Sequence, residues 1–162
     1  MNWAHLHLLS NHLPVVGMVF GLGLLGWALL RRNEVVQRVA LGTFVIVALL
    51  ALPAYFTGEP AEEVVEDSVG VAEASIEAHE SAALVALVGA ELVGLLALAA
   101  LYRARGGRAP SVLVPRAVLV AAIVTSGWMA WTANLGGRIR HAEIRPGTAQ
   151  SAPGDSDEGE GR

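Results

Sequence analysis

Apolar residues run along this chain in four long blocks, separated by one arginine-rich hairpin, one long acidic stretch and a second arginine-rich hairpin. The blocks fall at Leu13–Leu30, Val39–Phe56, Ala82–Tyr102 and Ala117–Asn134. Each comes close to the roughly 20 apolar residues that cross the hydrocarbon core of a bilayer. The apolar positions within a block are nearly continuous and do not form a single stripe, which is the pattern of helices surrounded by lipid. Backbone polar groups in lipid must find partners inside their own segment, so four such blocks predict an all-α integral membrane four-helix bundle. Residues 1–145 make up this domain. Residues 146–162, rich in Gly, Ser, Pro and acids, are expected to be a disordered acidic tail.

The stretch between the second and third spans opens with a turn sequence, Thr57-Gly58-Glu59-Pro60. It then reads as two short acidic helices broken near Ser68-Val69-Gly70. Glu73, Glu77 and Glu80 share one helical face, so the second piece is expected to run straight into the third span. Pro14 and Pro53 sit near the ends of their spans, where a kink or a helix end is tolerable. Small residues mark packing faces in membranes. Gly17 and Gly21 form one such pair in the first span, and Gly23 and Gly26 mark a second face.

Composition agrees with lipid as the solvent. Of 162 residues, 54% are hydrophobic and 16% charged, against about a quarter charged in soluble domains. A disordered protein, a disulfide scaffold and a nucleic-acid binder are excluded. With no cysteine, the chain can form no disulfide, iron–sulfur cluster, thiol nucleophile or thiolate-held zinc. All 11 basic residues are Arg, which fits a GC-rich bacterial genome. The net charge of −4 averages over segregated signs. Arg31, Arg32 and Arg38 occupy the first hairpin, and Arg103, Arg105, Arg108 and Arg116 the second, while the segment before Leu13 and the loop from Thr57 to Ser81 hold none. Arginine stays on the cytoplasmic side, so the chain is expected to lie N-out/C-out as a multi-pass protein of the bacterial inner membrane. Arg138, Arg140 and Arg145 oppose this, but they come last and are outnumbered.

Five histidines, His5, His7, His12, His79 and His141, all fall on the outer side of this topology. Imidazole is the commonest metal ligand and the usual axial ligand of b-type haem. At about 100° per residue, His5 and His12 share a stripe with Val16, Val19, Gly23 and Gly26, while His7 points elsewhere. Below His79 the stripe is Ala83, Ala86, Ala90, Gly94 and Ala97. These stripes predict that His12 and His79 point into the bundle and share a ligand. For haem b, the two would bind the iron axially, with Arg138 or Arg140 on a propionate. For copper or zinc at His12 and His79, His5, His7 or His141 and a carboxylate from Glu77, Glu80 or Glu143 would complete the shell. A surface without any cofactor is the third possibility.

Glu91 lies near the midplane of the third span, where a charge costs about 2.5–3.5 kcal/mol on insertion scales. Thr125 and Ser126 in the fourth span lie at matching depth and are candidates to hydrogen-bond it. The pair reads either as a proton relay or as an interhelical hydrogen bond by a protonated acid. Trp27, Trp128 and Trp131 read as packing or interface residues, and Thr125, Trp128 and Thr132 form one face of the fourth span.

His5-x-His7 followed by Asn11-His12-Leu13-Pro14, at the start of an apolar helix, resembles the opening of a family of small four-span bacterial membrane proteins known only as a domain of unknown function. Its members are similar in carrying a His before the third span and a Gly-Gly after the fourth, here Gly136-Gly137. The resemblance runs from about Trp3 to Glu143. It implies a respiratory or redox setting, beside Rieske-type or cytochrome proteins, with His12 and His79 as the haem ligands. The function expected from the sequence is a b-type haem electron-transfer or redox-associated subunit. The alternatives are a non-enzymatic copper or zinc binder and a cofactor-free structural subunit of a membrane complex. Expected partners are the lipid bilayer, a redox protein or complex subunits, and a second copy of the chain, but no nucleic acid. No GxSxG, phosphate loop or HExxH occurs, so no enzyme activity is expected of the chain alone.

Overall fold

The computed structural model describes residues 2–69, 73–105 and 113–140. Five helices follow in order: α1 (Trp3–Arg31), α2 (Glu34–Phe56), α3 (Gly58–Val69), α4 (Glu73–Arg103) and α5 (Leu113–Arg140). Four of them, with α3 prolonging α2, are long and apolar enough to cross a membrane. Every block of the hydropathy pattern lies inside one of these helices. The helices run on past the blocks at one end of the bundle, α1 beginning at Trp3 and α4 at Glu73.

Local chemistry sets the boundaries. The Asn2 side chain caps α1 by accepting from the His5 N–H at 3.0 Å, which satisfies one of the orphan donors of a helix start. At the other end Arg32 turns into the left-handed region at φ 54° and the Asn33 N–H donates to the Ala28 carbonyl at 2.9 Å. Asn33 then caps α2 through the Val36 N–H at 3.0 Å. One pair of residues thus closes one helix and opens the next.

The expected turn at Thr57-Gly58-Glu59-Pro60 is shorter than its sequence implies. Only Thr57 interrupts the helix, and α3 starts at Gly58. Thr57 keeps a near-helical backbone and its N–H still donates to the Pro53 carbonyl at 3.1 Å. Pro60 sits in the first turn of α3, where a missing N–H costs nothing. Pro14 and Pro53 likewise lie within α1 and α2 and do not end them.

In the bundle α1 packs on α2, α2 on α4, α4 on α5, and α5 closes back on α1, while α3 lies along α1. The start of α1, the end of α5 and α3 therefore share one end, the terminus end, and the two hairpins share the other. The buried stripe of α1 reads Pro14, Met18, Gly21, Leu25 and Ala28, alternating steps of four and three, as in a coiled-coil seam.

Apolar burial does not drive helices together in lipid, because the tails are as apolar as leucine; close packing does. The close contacts are visible at the glycines. A Cβ on Gly17 would meet Val47 at 2.7 Å, one on Gly21 would meet Phe44 at 2.7 Å, and one on Gly94 would collide with Ala48. Gly17 and Gly21 are thus a packing face, towards α2. Gly23 and Gly26 are not, since nothing lies within 4 Å of either Cβ position.

Candidate functional site

The polar side chains of the interior gather at the terminus end. Continuing the α1 stripe upwards from Pro14 by the same steps reaches Asn11 and then His7, both half-buried. The Thr57 hydroxyl, buried at the end of α2, donates to the Pro53 carbonyl at 2.8 Å. Its lone pairs face His7 Nδ1 and Ser10 Oγ, each at 3.2 Å. A hydroxyl has one proton, and with that proton on the backbone it accepts from His7. This assigns the ring hydrogen of His7 to Nδ1 and leaves Nε2 with its lone pair.

The second half of the site lies between α4 and α5. His79 is half-buried, and its Nδ1 stands 3.1 Å from the Thr132 carbonyl. A carbonyl only accepts, so Nδ1 carries the proton here too and Nε2 is again the open nitrogen. A Cβ on Gly136 would reach His79 Cε1 at 2.9 Å, so the ring rests against the bare backbone of α5. Just below, the Ala82 carbonyl accepts from Trp128 Nε1 at 2.9 Å, and the Thr132 hydroxyl shares its one proton between the Trp128 carbonyl at 3.0 Å and the Ala82 carbonyl at 3.2 Å. Deeper still, Gly89 faces Thr125. Thr125, Trp128 and Thr132 therefore do form one face of α5, and it faces α4. His7 and His79 stand on α1 and α4, which lie diagonally across the bundle.

Several expected partners stand elsewhere. His79 does face inwards, above a stripe in which Ala86, Ala90, Gly94 and Ala97 are buried. His12 does not: its ring is exposed and Nδ1 bonds back to the Leu8 carbonyl at 2.8 Å. The reason is azimuthal. His12 lies nine residues from Gly21, about 180° round the helix, whereas the stripe taken from Gly23 and Gly26 is the outer face. His5 is exposed on that same face, and His141 lies outside the described residues. Among the described residues no three His, Asp or Glu side chains come together as a metal shell. Arg138 is half-buried with its guanidinium 5.9 Å above the Trp131 ring, within cation–π reach. Arg140 ends α5, and its side chain is outside the described set.

Glu91 does not make the expected hydrogen bond through Oε1. Its Oε1 is buried without a hydrogen bond, and so is Ser126 Oγ. Glu91 lies two residues from Gly89, the residue facing α5, and so about 160° away from that seam. It sits on the flank of α4 shared with Gly94, which packs on α2.

His7, Asn11, Ser10 and Thr57 are the residues that sequence reasoning placed elsewhere or passed over. The signal that finds the three on α1 is the step pattern counted back from Gly17 and Gly21. Together these features define a four-span helical membrane bundle with a polar, histidine-bearing core at its terminus end. No family model, curated protein or solved structure matches the chain.

Proposed function

We propose that this is a multi-pass protein of the bacterial inner membrane, with both termini outside, that holds a transition-metal centre at its terminus end as a non-enzymatic redox or metal-binding subunit. One observation carries the reading: His79 faces the interior of a membrane bundle with its Nδ1 proton on the Thr132 carbonyl. Metal-binding imidazoles use that outer hydrogen bond to fix the tautomer and aim the other nitrogen. The orientation rests on the seven arginines of the two hairpin regions, Arg31 to Arg116.

Packing supports a bare ion over haem b. The small stripe below His79 that would make room for a macrocycle is occupied by a neighbouring helix, Gly94 meeting Ala48. The test is a reduced-minus-oxidised spectrum together with metal analysis, on protein purified in detergent from a haem-supplied host. Metal that survives dialysis and is lost in His79→Ala supports the reading. A Soret band would place haem iron at the site instead of an ion. A colourless, metal-free preparation that takes up no copper or zinc overturns it, leaving a structural subunit.

A further inference from the structure

We propose that the outer groove between α2 and α4 seats an anionic phospholipid at the hairpin end, with its phosphate at Arg38 and Arg105 and an acyl chain over Gly42. This site lies at the opposite end of the bundle from His79 and does not depend on any metal there.

The groove follows from how the two helices pack. They run antiparallel, and Gly94 meets Ala48. Counting along both helices from that contact brings Arg38 and Tyr102 to nearly the same height. Each then stands about 80° round its helix from the contact line, and in an antiparallel pair both rotations turn to the same side. That side is the outer one, because buried Phe44 and Ala90 lie the other way round. Arg38 is exposed accordingly, and Tyr102 is 70% exposed. Arg105 is held on the same flank, its guanidinium 5.9 Å from the centre of the Tyr102 ring, within cation–π reach.

Charge and shape complete the site. Arg31, Arg32, Arg103 and Arg116 are exposed at the same end. Glu34, one turn beyond Arg38, is the one acid there among the described residues, so the sign stays strongly positive. One turn nearer the midplane than Arg38, Gly42 has nothing within 4 Å of its Cβ position. Exposed Leu49, Leu95 and Leu98 flank that bare stretch of backbone. A negative group at the height of the arginines with a hydrocarbon chain below it is the build of an anionic phospholipid. Basic clusters beside a span attract such headgroups, and the guanidinium fork matches phosphate oxygens. A second copy seated here in parallel, across a two-fold axis, would instead set arginine against arginine.

The experiment uses the full chain, whose lack of cysteine lets Leu95→Cys carry a single fluorophore at the lip of the groove. The labelled protein is placed in phosphatidylcholine vesicles containing brominated phosphatidylglycerol or, in parallel, brominated phosphatidylcholine, at equal share in both leaflets. Quenching is expected to report phosphatidylglycerol enriched by about tenfold or more, the scale for two arginines near an anionic headgroup. Arg38→Gln and Arg105→Gln should each lower the enrichment about fivefold. Gly42→Leu, which fills the slot and leaves every charge in place, should lower it as well. A label at Val19→Cys, at similar height on the outer face of α1, should show little preference. Circular dichroism checks that each variant is folded. Equal quenching by the two lipids at Leu95→Cys would overturn the site. So would an enrichment that is the same at both labels or survives both arginine variants, since it would mark a diffuse attraction to the arginine end. Loss in the arginine variants but not in Gly42→Leu would overturn the seating of the chain.

Discussion

The two halves of the bundle interior are built on different principles. Towards the hairpins, Leu25, Ala28, Ala40, Leu41, Phe44, Val93, Ala97 and Val118 are buried, and the nearest buried polar atoms, on Glu91 and Ser126, sit midway along the bundle. Towards the termini, the same geometric stripes carry His7, Asn11, Thr57, His79 and Thr132. One half is held by contact at van der Waals distance, the other by hydrogen bonds that have direction. Contact packing tolerates little change of volume and is indifferent to chemistry, and the polar end has the reverse sensitivity. Fold and site are thus kept apart along the bundle axis, so damage to one should largely spare the other.

The sharpest way to break that division is to overfill the apolar half. Gly94→Leu drives a side chain into Ala48 and the Phe44 carbonyl. It is expected to cost about 3 kcal/mol or more, at or above the usual range for overpacking, read as a lower unfolding midpoint in mixed micelles. Equal stability of variant and wild type would mean that α2 and α4 are not packed as described. Gly136→Ala tests the other half: the added methyl displaces His79 and not the core. Metal affinity should drop about tenfold, with stability changed by less than about 1 kcal/mol. Thr132→Val removes the hydroxyl that bridges the Trp128 and Ala82 carbonyls but keeps the backbone carbonyl that clamps His79. A loss of about 1 kcal/mol is expected, with metal binding at His79 retained. Smallest of all should be Gly23→Leu on the open face of α1, within about 0.5 kcal/mol of wild type. A change of oligomeric state in that variant would mark this face as a contact between copies.

Much of the architecture was legible because lipid imposes one rule on every span. Four apolar blocks must be four helices, and short arginine hairpins must make consecutive helices antiparallel neighbours. The inward face of α4 was legible too, since the run from Ala83 to Ala97 offers only small residues in line with His79. On α1 the same logic had two glycine pairs to choose from, and composition does not distinguish them. Gly17 and Gly21 meet Val47 and Phe44, while Gly23 and Gly26 meet open space; that difference resides in another helix. The choice also decides the site, because it selects His7 or His12. Glu91 failed for a related reason. Matching depth was read correctly from position, but azimuth puts the carboxylate on the α2 side and Thr125 opposite Gly89.

The alternating steps of α1, from His7 through Asn11, Pro14, Met18, Gly21 and Leu25 to Ala28, also govern how this helix can change length. Insertion of a single residue between Asn11 and Pro14 would swing everything above it by about 100°. Leu8 would then occupy the azimuth of His7, and the imidazole would face lipid or solvent while the apolar half stayed intact. An insertion of seven residues would restore the azimuth but lift the ring about 10 Å along the axis, clear of Thr57. Substitutions can be absorbed almost anywhere on the outer face of α1, but its first turns can neither gain nor lose a residue without parting His7 from Thr57.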